Sequence, residues 1–215
     1  MVHLNGVDRD PIEPSWREAL RRKIIARWGF AEATYSSTRV FGVVARLAPE
    51  KRHQHILEVM LALRVQHPDF SWTLLCFGSG PLEAKLKSFT QEHGLDSQVK
   101  WMGYREGLSA EMAGFDVLLS LSQGEGLPIN VLEAGWAATP IFASAVDGLN
   151  DLILGGEGHL VPPHASPSHL ADQLFEFSKD RASLEVIGKK FLERVSQNFS
   201  GKIWLENLQK IYDEL

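Results

Sequence analysis

Residues 117–135 read VLLSLSQGEGLPINVLEAG and predict a strand, a glycine loop and the start of a helix. The apolar run 117–121 is typical of a buried parallel strand. Gly124 and Gly126 then allow a tight turn, and Pro128 suits the first helical position, where its missing amide proton costs no hydrogen bond. The free amides and the dipole of such a helix start favour an anion such as phosphate.

Two carboxylates belong to the same stretch. Glu125 lies in the glycine loop, and Glu133 lies about one and a half turns into the predicted helix, among apolar residues. A carboxylate in that setting needs hydrogen-bond donors, which ligand hydroxyls would supply. A sugar or ribose joined to a phosphate would suit this arrangement. Spacing alone leaves a second explanation open, in which Glu125 is a solvated loop carboxylate and Glu133 pairs with a nearby Arg or Lys.

Composition limits the class of protein. The 215 residues are 44% apolar, enough for one substantial α/β domain. The net charge of −5 disfavours a general nucleic-acid binder. The single cysteine, Cys76, excludes an internal disulfide and fits a reducing compartment, and the eight histidines show no metal-ligand spacing. No apolar run approaches the length of a membrane span and the N-terminus lacks a secretory pattern, so we expect a cytoplasmic protein.

Strands and helices alternate from Arg39 onward. This alternation predicts a Rossmann-like α/β fold, an open and mostly parallel sheet of about six strands with helices on both faces, in a single domain. The predicted strands are 40–47, 72–77, 99–102, 117–121, 140–144 and 159–161. The predicted helices include 16–28, 52–66, 149–154, 167–178, 180–196 and 200–213. The first of these is basic and amphipathic, which is typical of a surface helix and also of one that contacts an anionic membrane.

Three further loops lie at the predicted carboxyl edge of the sheet, where ligands of open parallel sheets bind. Arg46 and Lys51 lie five residues apart across a proline-containing turn and could hold a diphosphate, each charge-assisted bond contributing about 1.5–3 kcal/mol. A solvated basic surface is the alternative. Gly78 and Gly80 would let the backbone approach a ligand, but the third glycine of the dinucleotide fingerprint is missing, which disfavours NAD. The loop 102–104 could read a nucleobase through its backbone.

These loops together resemble a known family. Arg46 with Glu50-Lys51, GSGP at 78–81, and EGLP at 125–128 with Glu133-Ala134 look like the nucleotide-sugar-binding half of GT-B glycosyltransferases. Among these enzymes, the sequence looks like the large retaining group that includes bacterial mannosyl-, glucosyl- and N-acetylglucosaminyltransferases. Residues 1–14 resemble the hinge that leads into that half, and residues 15–215 then form its donor-binding domain.

The resemblance implies a glycosyltransferase of polysaccharide or glycoconjugate biosynthesis that uses a UDP-, GDP- or ADP-linked sugar, retains the anomeric configuration and needs neither metal nor cofactor. Arg46, Lys51 and Glu125 would be catalytic, the two cations stabilising the departing diphosphate and Glu125 contacting the donor sugar. Glu133 would bind the ribose hydroxyls, and the backbone of Met102 the base. The implied donor-binding set is Gly42, Arg46, Lys51, Gly78, Gly80, Met102, Glu125, Gly126, Leu127, Pro128, Ile129 and Glu133.

The sequence departs from the family pattern at two places. Arg52 and His53 follow Lys51 where the family usually has glycine, and their bulk and charge could help or obstruct the diphosphate clamp. Val146-Asp147-Gly148 replaces the usual pair of glycines after the fifth strand. That replacement puts a tight backbone approach there in doubt.

The family also places the acceptor in an N-terminal domain for which this sequence has no counterpart. We therefore expect this chain to bind the donor but to transfer sugar inefficiently without that domain or a partner chain. Homodimer formation is a further expectation, because the last helix would have an uncovered apolar stripe. Two other functions stay open: another sugar-nucleotide enzyme of GT-B shape, such as an epimerase, and a non-catalytic nucleotide-binding module.

Overall fold

The computed structural model describes residues 14–29 and 37–213. Its strands are β1 Arg39–Val44, β2 Trp72–Phe77, β3 Val99–Gly103, β4 Val117–Ser120, β5 Ile141–Ser144 and β6 Gly158–Val161. They form one open, wholly parallel sheet in the order β3-β2-β1-β4-β5-β6. The predicted Rossmann-like α/β fold is confirmed. The predicted hinge, residues 1–14, lies outside the described residues except for its last position.

Helices connect the strands. They are α1 Pro14–Arg27, α2 His53–Gln66, α3 Glu83–Glu92, α4 Ile129–Trp136, α5 Asp147–Leu152, α6 Pro167–Ser178, α7 Arg181–Asn198 and α8 Gly201–Asp213. Among the described residues, the connections also include the 3-10 helices Pro49–Lys51 and Leu108–Gly114. Within residues 14–29 and 37–213, no helix has the length and apolar character needed to cross a membrane.

The sheet separates two hydrophobic cores. Successive side chains of a strand point to opposite faces. In β2, Leu74 and Cys76 join one core, and Leu75 and Phe77 join the other. The first core includes residues of α2, α3 and α6, and the second includes residues of α1, α4 and α7. Helices therefore cover both faces of the sheet, as predicted.

The two halves of the sheet meet along a short seam between β1 and β4. β1 pairs with β2 over six residues, but it pairs with β4 over only two, Phe41 with Val117 and Gly42 with Leu118. β1 also ends earlier than predicted, at Val44 rather than Leu47. Beyond Val44 the amide of Leu47 still donates to the carbonyl of Ser79 at 3.0 Å, and the amide of Ala48 closes a tight turn by donating to the carbonyl of Arg46 at 2.8 Å.

A buried carboxylate fastens two helices to the start of the sheet. Asp116 is 2% exposed and accepts hydrogen bonds from the amide of Val40 at 2.7 Å, from Nε of Arg181 at 3.0 Å and from the guanidinium of Arg21. Burial alone would raise the pKa of Asp116, but the charges of Arg21 and Arg181 and these hydrogen bonds outweigh it, so the pKa is lowered. Asp116 is thus an anion that holds α1 and α7 against β1.

Candidate functional site

The sheet order creates a crevice between β1 and β4. The chain leaves these neighbouring strands in opposite directions, and ligands of open α/β sheets bind at the carboxyl ends of such strands. Two hydrogen bonds join the loops that follow them. The amide of Gln123 donates to the carbonyl of Glu50 at 3.0 Å, and Nδ2 of Asn130 donates to the carbonyl of Val44 at 2.6 Å. The Arg46–Lys51 loop, the glycine loop and the start of α4 therefore lie together.

Lys51 and Glu125 form an ion pair across this crevice. Nζ of Lys51 lies 2.6 Å from Oε1 of Glu125, and the two side chains are only 24% and 10% exposed. Partial burial weakens solvent screening of such a pair. The two side chains that the sequence predicted to hold different parts of a ligand thus contact each other directly.

The backbone around Glu125 is held by α5. The amide of Gly148 donates to the carbonyl of Glu125 at 3.1 Å. A Cβ at position 148 would lie 1.1 Å from the carbonyl oxygen of Gly126, so only glycine fits there. The tight backbone approach that Val146-Asp147 put in doubt is present in the structure, between the second glycine of the loop and Gly148.

The glycine loop leads into α4 one residue later than predicted. Pro128 has an extended backbone, with ψ at 117°, and caps the helix, because its carbonyl accepts the amide of Val131 at 3.1 Å. The prediction that Pro128 is the first helical residue was therefore wrong. Gly126 and Ile129 are exposed, and Leu127 packs partly against the core. The predicted role of this helix start in binding an anion stays a prediction.

The loop Gly78-Ser79-Gly80 packs directly on the loop that follows β1. Gly78 has a φ of 134°, and a Cβ there would lie 2.0 Å from the carbonyl oxygen of Ala45. A Cβ on Gly80 would lie 2.5 Å from the carbonyl oxygen of Leu47. The first reason for both glycines is therefore the contact between two loops. Their predicted contact with a ligand depends on the cavity beside them.

That cavity has a volume of about 440 Å³. Its lining residues are Val44, Ala45, Arg46, Phe77, Gly78, Ser79, Gly80, Pro81, Tyr104, Arg105 and Leu108. Arg46, Gly78 and Gly80 were predicted site residues, and the cavity brings them together. Lys51, Glu125 and Glu133 are not among its lining residues. The cavity and the Lys51–Glu125 pair both border the loop after β1, so they form two neighbouring parts of one candidate site.

The far wall of the cavity carries Tyr104, which belongs to the predicted loop 102–104, and Arg105, which the sequence did not single out. Tyr104 is 70% exposed, and the guanidinium carbon of Arg105 lies 5.7 Å from the ring centroid of Phe77. Nη1 of Arg105 also lies 3.6 Å from Oε2 of Glu111. The position of Arg105, two residues after the end of the edge strand β3, was the signal that could have identified it. An aromatic ring and a guanidinium plane are suited to stacking on a flat, polar ligand.

Met102, Glu133 and Gly42 are further predicted residues that do not line the cavity. Met102 packs partly against the core, and the carbonyl of Gly103, next to it, accepts the amide of Gly78 at 2.9 Å. Glu133 is part-buried in α4. Gly42 is buried within β1, where a Cβ would lie 2.3 Å from the ring of Phe115. Gly42 therefore has a packing role, and its predicted contact with the donor stays a prediction.

Arg52 and His53, the two departures that follow Lys51, are each held by the surrounding fold. Arg52 adopts a left-handed backbone, with φ at 51°, a conformation that favours glycine, and its guanidinium donates to the carbonyl of Pro163. His53 is 2% exposed, and its pKa is lowered to about 4, first by burial and then by the charge of Lys51. The imidazole is therefore neutral at neutral pH, and the Arg52 side chain is directed to the loop after β6.

Among the residues that the structure describes, no group of three or more His, Cys, Asp or Glu side chains is placed to hold a metal ion.

The model of the family described as glycosyl transferases group 1 matches residues 25–194. The chain belongs to this family. The match covers the Arg46–Lys51 loop, the glycine loop and the whole sheet.

Two curated relatives illustrate the family's range. The chain is 30% identical over 190 residues to an exopolysaccharide phosphotransferase of Streptomyces coelicolor, covering 87% of this chain and 20% of the relative. It is 27% identical over 166 residues to the putative colanic acid biosynthesis glycosyltransferase WcaL of Salmonella typhimurium, covering 73% of this chain and 40% of the relative. The chain thus spans two fifths or less of these two relatives.

A solved structure shows the same fold. The chain superposes on HepE from Anabaena, crystallised in complex with UDP and glucose, with a TM-score of 0.83, 21% sequence identity, and coverage of 100% of this chain and 57% of HepE. At this identity the likeness establishes the fold. The chain therefore has the architecture of one half of a two-domain GT-B protein, as the sequence predicted.

Proposed function

We propose that this chain is the donor-binding domain of a retaining glycosyltransferase that moves a sugar from a nucleoside-diphosphate sugar to an acceptor hydroxyl. The observation that carries the proposal is the Lys51–Glu125 pair at the β1–β4 crevice, beside a cavity that Arg46 lines. Membership of the glycosyl transferases group 1 family supports it, as does the shared fold with HepE, whose structure contains UDP and glucose.

The parts of the site suit the parts of such a donor. A volume of about 440 Å³ lies within the usual range for small-molecule sites, and we assign the nucleobase to this cavity, against Tyr104 and Arg105. The diphosphate then lies along the loop after β1, between Arg46 and Lys51. The sugar reaches Glu125, and Glu133 on α4 accepts hydrogen bonds from the ribose.

The chemistry requires charge stabilisation on one side of the broken bond. The acceptor oxygen forms a bond to the anomeric carbon while the bond from that carbon to the diphosphate oxygen breaks. The electron pair of the broken bond leaves with the nucleoside diphosphate, and the hydroxyl proton passes to the departing phosphate. Arg46 and Lys51 stabilise the growing negative charge more in the transition state than in the ground state. We assign this role to the two cations rather than to a metal ion or cofactor.

The acceptor site belongs to another domain or to a partner chain in this proposal, because the family relatives are much longer than this chain. This chain then binds the donor and transfers sugar slowly by itself. The single buried Cys76 suits a reducing compartment such as the cytoplasm. Peripheral membrane contact through α1 and homodimer formation stay predictions.

Isothermal titration calorimetry with UDP, GDP, ADP and their glucose or mannose derivatives tests the donor site. We expect one nucleotide series to bind, and Arg46→Ala and Lys51→Ala each to weaken it about tenfold or more, the effect of losing one charge-assisted bond. Lys189→Ala, an exposed lysine on α7, is the matched control and should leave binding unchanged. Binding of NAD without any nucleoside diphosphate, or binding that both site variants leave intact, would contradict the proposal.

A further inference from the structure

The carboxylate of Glu125 is paired with Lys51, the cation that an incoming diphosphate would need. Its Oε1 lies 2.6 Å from Nζ of Lys51. We propose that Glu125 competes internally for Lys51 and thereby makes the site favour the sugar-bearing nucleotide over the bare nucleoside diphosphate. This inference rests on the proposed function. It assigns Glu125 a part in distinguishing substrate from product, in addition to its expected contact with the sugar.

Main-chain contacts bring the two side chains together. The amide of Gln123 donates to the carbonyl of Glu50 at 3.0 Å, which joins the residue before Lys51 to the residues before Glu125. The amide of Gly148 donates to the carbonyl of Glu125 at 3.1 Å, which holds the other side of the same loop. The ion pair therefore lies in an arrangement of two loops and the start of α5 that main-chain hydrogen bonds hold together.

Within the described part of the chain, the residues that flank Lys51 in sequence provide no buried anion. Glu50, beside it, is exposed. The guanidinium of Arg52 donates to the carbonyl of Pro163, and the buried imidazole of His53 is neutral. The charge of Lys51 is thus balanced by the Glu125 carboxylate, which is 10% exposed.

A bare diphosphate that takes Lys51 leaves this carboxylate without its partner and next to further negative charge. Separating a largely buried pair in this way is unfavourable, because the remaining ion has lost both water and its counter-charge. A sugar on the diphosphate changes the balance, since its hydroxyls donate hydrogen bonds to the carboxylate in place of the ammonium. The donor thus compensates Glu125, whereas the product nucleoside diphosphate does not.

The variant Glu125→Gln separates charge from shape. It keeps the length of the side chain and a carbonyl that accepts a sugar hydroxyl, but it releases Lys51. We expect the variant to bind UDP, GDP or ADP, and also inorganic pyrophosphate, about tenfold more tightly than the wild type. The matching nucleotide sugar should bind equally or more weakly. The preference for the sugar-bearing nucleotide should therefore fall about tenfold or more.

Glu133→Gln is the matched control, because Glu133 is assigned to the ribose that both nucleotides share. It should weaken the bare and the sugar-bearing nucleotide alike and leave their ratio unchanged. Glu125→Asp keeps the negative charge, so the binding of the bare diphosphate should stay as weak as in the wild type. Should Glu125→Gln fold poorly in a thermal melt, Glu125→Ala offers the same released lysine, with tighter pyrophosphate binding as the readout.

Calorimetric titration of the wild type and these variants with each nucleotide, its sugar derivative and pyrophosphate gives the answer. Tighter binding of bare diphosphate and pyrophosphate by Glu125→Gln or Glu125→Ala supports the competition. If the wild type binds nucleotides and neither variant tightens the bare diphosphate, the competition is overturned while the donor site stands. If no nucleotide or pyrophosphate binds to any form, the proposed function is overturned together with this inference.

Discussion

The α-carbon of Gly148 lies so close to the carbonyl oxygen of Gly126 that a single methyl group would come within 1.1 Å of that oxygen. The obstacle is backbone, which cannot turn aside as a flexible side chain would. Gly148 is also the residue whose amide donates to the carbonyl of Glu125. The start of α5 and the glycine loop after β4 are therefore shaped by one contact.

Gly148→Ala should move the glycine loop. Overpacking of this kind typically costs about 1–3 kcal/mol, so we expect a loss of that order in the free energy of unfolding, measured in urea. Nucleotide affinity should fall in the same variant. Gly155→Ala is the control, because a Cβ on Gly155 meets nothing within 4 Å. Equal stability of the two variants would argue against the contact.

Asp116→Asn should destabilise the whole domain. The substitution leaves Arg21 and Arg181 without the buried anion they share, and breaking such a pair typically costs about 3–5 kcal/mol. Glu193→Gln, at an exposed position on α7, should have almost no effect. Urea unfolding followed by circular dichroism measures both. A loss below about 1 kcal/mol for Asp116→Asn would show that the network contributes little to stability.

His53 should make stability depend on pH. Its folded pKa is about 4, well below the ordinary value of 6.5, so the unfolded chain binds more protons between these values. The contribution of His53 to the free energy of unfolding is fully present above pH 6.5. It is lost as the pH falls toward 4, up to about 3 kcal/mol. His53→Leu should flatten this part of the profile, whereas His164→Gln, at an exposed position, should not. Parallel profiles for wild type and His53→Leu would contradict the assignment.

Arg105→Ala should weaken the binding of nucleotides but not the binding of pyrophosphate. The guanidinium lies over Phe77 on the cavity wall that we assign to the base, away from the proposed diphosphate position. Loss of a stacked cation corresponds to roughly a tenfold loss in nucleotide affinity. Lys189→Ala again serves as control. An equal loss for nucleotide and pyrophosphate would place Arg105 at the diphosphate and not at the base.

Local patterns predicted the elements of the fold well. The apolar run at 72–77 is the observed β2, and helix 167–178 is the observed α6. The end of β1 was misplaced because Leu47 lies beyond the strand but is still buried in the core, so it continues the apolar pattern of the strand. The packing role of Gly42 was missed because a strand glycine that contacts a ligand and one that accommodates an aromatic ring look the same in sequence. Phe115, which supplies that ring, is distant in sequence.

The candidate site was predictable as a set of residues but not as a set of contacts. Lys51 and Glu125 were each identified, yet their pairing joins positions 74 residues apart and depends on the β1–β4 neighbourhood. Arg105 was missed because its relation to Phe77 exists only once β2 and β3 are adjacent. Sequence motifs identify the side chains that belong to the candidate site. The sheet order determines which of these charged side chains pair with each other before a ligand binds.

The two-residue seam lies between β1 and β4, the strands whose following loops carry that charge pair. One three-stranded half of the sheet leads to the ammonium, and the other leads to the carboxylate. Any sliding of the halves would stretch or shorten the gap between the two charged groups. Isotope labels on Lys51 and Glu125 would accordingly report the relative position of the two half-sheets, even in the absence of any substrate.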